Sequence, residues 1–201
     1  MAGVVDRRPG AWRWFSGALV VVALAVGVPV ALTSRGGHRP PRAGASVRML
    51  AIPVFRGEQR LDGPTARSGN LAFDPIAVDC AIAGVIGTHA ETFPRGIYCR
   101  FRVAISNVGQ TYETFDPAGQ RMLTTSGDAF LTDRHAMLAR RQADRFSVPP
   151  RDLLTLELWW DVPRGTVVTG FELSAEDQSV AGRIPLPHPL VATSPVPSLG
   201  P

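Results

Sequence analysis

Residues 97–107 read Ile97-Tyr98-Cys99-Arg100-Phe101-Arg102-Val103-Ala104-Ile105-Ser106-Asn107, and their alternation decides the fold. Ile97, Cys99, Phe101, Val103 and Ile105 fall on one side of an extended chain, while Tyr98, Arg100, Arg102, Ala104 and Ser106 fall on the other. A period of two predicts a strand with one face in a core and the other in water. Asn107-Val108-Gly109 supplies the turn that ends it.

The same pattern recurs downstream. Leu154, Leu156, Leu158 and Trp160 alternate with Thr155, Glu157, Trp159 and Asp161 and stop at Pro163, which cannot donate to a ladder. Val167, Thr169, Phe171 and Leu173 form a third row. Weaker strands are predicted at 47–55, 71–80, 111–115, 119–125, 128–133 and 180–186, with Gly, Pro, Asp or Ser between them. Residues 136–146 have helical composition but no apolar stripe, which predicts a loop or a single helical turn. The 20 glycines and 18 prolines favour turns over long helices. The expected fold is all-β, an antiparallel immunoglobulin-like β-sandwich, with a jelly roll or small barrel as the alternative.

Outside this domain the chain changes character. Residues 15–34 carry no charge, and at about 1.5 Å per residue they match a bilayer core of about 30 Å. Trp12 and Trp14 stand at the border of the run, where amphipathic rings settle. The expected order is a basic cytoplasmic segment (1–14), a transmembrane signal anchor (15–34), a Gly/Pro/Arg-rich linker (35–46), an extracytoplasmic domain (47–187) and a Pro-rich disordered tail (188–201). The localisation this implies is the cell membrane, single-pass, with the C-terminal domain outside; the alternative is a cleaved signal peptide and a secreted domain.

Charge follows the same division. Residues 1–45 hold six arginines and one acid, so the remaining 15 arginines and 16 acids leave the domain at −1 despite the overall +4. A domain with that balance offers no bulk attraction for nucleic acid, and no nucleic-acid partner is expected. Cys80 ends a predicted strand and Cys99 sits on an inward row, so a strand–loop–strand unit can bring them into bonding range. In an exported domain that predicts a disulfide between Cys80 and Cys99.

The order of Cys80, then 99–109, then 120–127 (Gln-Arg-Met-Leu-Thr-Thr-Ser-Gly), then Val148-Pro149-Pro150, then Trp160-Asp161-Val162-Pro163 resembles the telokin-like, Mpr-type extracellular domain of actinobacterial and other Gram-positive proteins. The resemblance covers about residues 70–175. It implies an immunoglobulin-like sandwich with no assigned enzymatic activity. The Trp159-Trp160 doublet departs from the single aromatic usual there.

Chemistry-bearing motifs are sparse. His38, His89, His135 and His188 have no partner at metal-ligand spacing, and no nucleophile elbow, phosphate loop or dinucleotide fingerprint is present. Asp128 and Asp133 could flank a site, although alternation on a wet face explains them equally well. Asp74/Asp79 and Asp116/Asp128 are too sparse for a calcium loop. Ser126-Gly127 reads as a hairpin turn. No catalytic residue, metal or cofactor is expected. The candidate interaction surface is the exposed row Tyr98, Arg100 and Arg102, since Tyr and Arg are common interface anchors. The expected role is non-catalytic binding at the envelope, to a protein or glycan partner. A third reading is an envelope hydrolase.

Overall fold

The computed structural model describes residues 52–194 apart from 177 and 179. The expected anchor and linker therefore lie outside the described residues, among which no helix is long and apolar enough to cross a membrane. The regular structure of the described chain is almost entirely antiparallel strand.

The chain first forms β1 (Gln59–Arg60) and β2 (Ala66–Ser68), both paired with the long β3 (Leu71–Ile82). A small hairpin follows, β4 (Val85–Ile86) and β5 (Glu91–Thr92). The strand that opened the sequence analysis is β6 (Ile97–Asn107), and it pairs with β3 on one side. Next come β7 (Glu113–Phe115), β8 (Arg121–Thr124), β9 (Ala129–Leu131), the single-turn helix α1 (Arg134–Ala139) and β10 (Phe146–Val148). The last strands are β11 (Leu153–Val162), β12 (Val167–Leu173) and β13 (Gly182–Val191). One sheet has the order β1-β3-β6-β11 with β2 also on β3; the other runs β13-β12-β8-β9. β7 and β10 form a separate pair.

The two sheets share one core. Ile97, Cys99, Phe101, Val103 and Ile105 are fully buried, as the alternation of β6 predicts. From β11, Leu158 and Trp160 join them. Phe171 of β12 stacks on Phe101 with centroids 4.1 Å apart and tilts against Trp160 at 5.1 Å, which ties the sheets together. Paired rings of this kind add about 0.5–1.5 kcal/mol beyond their buried area. Cys80 on β3 and Cys99 on β6 are joined as the expected disulfide. By the loop-entropy model a closed loop of about 20 residues contributes roughly 3 kcal/mol.

Four expectations need correction. The second face of β6 is not in water: Tyr98 is 1% and Arg102 8% exposed, and Ala104 is fully buried. Residues 52–55, the described part of the strand expected at 47–55, form no strand; with residues 56–58 they lie across that face. Ile52 and Val54 pack on Ile76, Ala77 and Ala104. In β12 the inward row is Val168, Phe171 and Leu173, because a bulge between Val168 and Gly170 shifts the phase by one residue. The disordered tail expected from 188 begins too early. β13 continues to Val191, and the buried Ala192 donates its N–H to Thr166 O at 2.8 Å.

Prolines at 185, 187 and 189 sit at alternate positions of β13, an edge strand. Alternate prolines remove the N–H groups along one edge, which blunts pairing with further strands.

Candidate functional site

A cleft of about 550 Å³ opens where β6 begins and β11 ends, and β5 and the start of α1 complete its walls. Its position follows from local chemistry. Asp161, on β11, accepts from the backbone N–H of Arg95 at 2.7 Å and of Gly96 at 3.0 Å, fixing the β5–β6 loop against the strand end. Gly96 is required there because a Cβ would strike the Val162 carbonyl. Asp133 caps α1, its Oδ1 accepting from Ala136 N at 2.8 Å, while its own N–H is donated to Trp159 O at 2.6 Å. That bond fastens the helix start to β11.

Tyr98 is the floor. Its ring meets Trp159 edge-on at 6.1 Å, and its hydroxyl lies 3.1 Å from Thr92 Oγ1. Burial raises the Tyr98 pKa from 10.0, and the nearby Asp133 and Asp161 charges add to the rise. The hydrogen bond with Thr92 opposes it. Within the Thr92–Tyr98 pair either hydroxyl can donate to the other. Phe93, Arg95, His135 and Pro163 complete the rim. Phe93 is 66% exposed yet not loose: a Cβ on Gly84 would come within 2.8 Å of its ring, so the ring rests directly on that glycine.

No protein-family model matches the chain, and no curated protein does. Among solved structures it is similar to a conserved hypothetical protein from Bacillus anthracis, with 8% identity and a TM-score of 0.42 over 63% of this chain and 95% of that one. It is also similar to the yjhA protein from Bacillus subtilis, at 12% identity and TM-score 0.40 over 53% and 76%. An apo PmoF2 PCuAC domain gives 12% and 0.29 over 67% and 97%. These neighbours are small β domains. Likenesses so distant carry no ligand or activity to this chain.

The surface expected from Tyr98, Arg100 and Arg102 is not assembled as an exposed row. Glu58, whose side chain is fully buried, lies 3.0 Å from Arg100 Nη2 and 2.8 Å from Arg102 Nη1. Phe55 covers both guanidinium groups, with its centroid 4.2 Å from Arg102 and 5.5 Å from Arg100. Arg102 also donates to Pro53 O at 2.9 Å. Two of the three predicted contact residues are thus committed to the segment 52–58, and Tyr98 alone reaches a cavity.

Asp128 and Asp133 do not meet. Asp128 belongs to the β8–β9 turn, where it accepts from Ser126 Oγ at 2.8 Å, and Gly127 has the positive φ of +84° that the turn needs. Among the described residues, no group of three or more His, Cys, Asp or Glu is arranged to hold a metal ion. His89 and His188 are exposed, and His135 stands on the cleft rim. Sequence reasoning missed Thr92, Phe93 and Asp161 as cleft residues. Asp161-Val162-Pro163 did mark the strand end that builds the wall.

Proposed function

We propose that this chain is a membrane-anchored, extracytoplasmic, non-catalytic binding module, an immunoglobulin-like domain of the telokin-like, Mpr-type kind, that recognises an envelope ligand in the Tyr98 cleft. The observation carrying this reading is how the cleft's polar groups are committed. Both Asp161 oxygens accept backbone N–H groups. Asp133 caps a helix. These backbone hydrogen bonds fix the cleft walls and leave each carboxylate further acceptor sites for a ligand. Rigid walls with a few fixed polar groups are what a binding site requires.

Export is supported by the uncharged run at 15–34 and by the Cys80–Cys99 bridge, since disulfides persist in oxidising compartments. The test uses full-length protein in its native host. Protease added outside intact cells, followed by mass measurement without reduction, is expected to release domain fragments still joined through Cys80 and Cys99. A protected domain with two alkylatable thiols would overturn the reading.

A further inference from the structure

We infer that the cleft takes a neutral glycan, one sugar ring lying on Phe93 with its hydroxyl edge against the Thr92–Tyr98 hydroxyl pair and Asp133. This rests on the binding-module reading above and names its ligand class. Three observations converge on it.

The first is the platform. Phe93 is 66% exposed at the mouth of a cavity, and one edge of its ring packs on Gly84. A ring already fixed in place loses little freedom when a ligand covers it. A pyranose presents a face of C–H groups to such a ring.

The second is the mixture of polar groups. Hydroxyls at Thr92 and Tyr98 stand beside carboxylates at Asp133 and Asp161, with Arg95 and His135 on the same rim. Donors and acceptors of both charges suit a ring of hydroxyls, each of which donates and accepts.

The third is what the wall disfavours. Asp133 and Asp161 repel anions. Arg95 on the same rim disfavours a cation. The volume of about 550 Å³ lies within the range of small-molecule sites, about 300–1,000 Å³.

The experiment is calorimetric titration of full-length protein, held in a zwitterionic detergent free of sugar headgroups. The probes are N-acetylglucosamine trimer, cellotriose and maltotriose, with tetramethylammonium and acetate as charged controls. The expected result is saturable binding of at least one trisaccharide, weakened about tenfold by Phe93→Ala and several-fold by Tyr98→Phe, as a lost stacking contact or hydrogen bond implies. Tyr112→Ala, at an exposed ring in the loop between β6 and β7, is expected to leave binding intact. Because Phe93 is largely exposed, its loss leaves the core unchanged, and a melting curve checks this. Trisaccharide binding that survives Phe93→Ala would overturn the inference. Tetramethylammonium binding at Phe93 with no trisaccharide binding would also overturn it, while leaving the binding-module reading in place. If no probe binds and the domain is found protected inside the cell, both readings fall.

Discussion

Glu58 is the residue on which one face of the molecule turns. Its side chain is fully buried between Arg100 and Arg102, which are themselves 15% and 10% exposed. Removing one partner of a buried ion pair leaves uncompensated charge and costs about 3–5 kcal/mol. Glu58→Ala is therefore expected to lower unfolding free energy by about that amount in urea titration. Loss within the range of an exposed pair, about 0–1 kcal/mol, would show that the segment 52–58 does not hold this face. Beside it, Asp79 has its pKa raised from 3.8, chiefly by burial and slightly by Glu58, against the Ala81 N–H and Arg100. The fold thus favours protonated Asp79. Its contribution to stability is fully present below the ordinary value and is lost as pH rises through the raised one. Asp79→Asn is expected to flatten stability across that window and to stabilise relative to the parent at neutral pH. Denaturation at several pH values checks both, and an unchanged pH profile would contradict the assignment.

Among the elements, the strands whose partners lie close in pattern were legible and those whose partners lie far away were not. β6 and β11 follow a period of two, so their core rows could be read directly. The other side of β6 could not, because Arg100 and Arg102 look like wet residues unless Glu58, more than 40 positions earlier, is known to lie on them. β12 misled for another reason. Its bulge at Val168/Gly170 breaks the phase, and no residue type announces it apart from Gly170 itself. That glycine is fixed by packing, since a Cβ would lie 2.6 Å from the Ile184 carbonyl of β13. Gly170→Ala is expected to cost about 1–3 kcal/mol, measured by thermal or chemical unfolding. A neutral or stabilising result would mean that the β12–β13 contact is looser than described.

At the scale of the whole molecule, two sheets close on Trp160, Phe101 and Phe171, and the segment 52–58 closes the outer side of one of them. The cleft is left at the strand ends, assembled from β5, β6, β11 and α1. Such a site has no short motif, which is why Tyr98 was singled out from the sequence but Phe93 and Asp161 were not. With that sheet face sealed, the cleft is the recognition site proposed for this domain. The most direct test is photo-crosslinking in the native envelope, with a reactive residue placed at position 93 or, as control, at the exposed position 112. The account predicts light-dependent adducts from 93 and none from 112. No adduct from 93, or equal adducts from both, would contradict it.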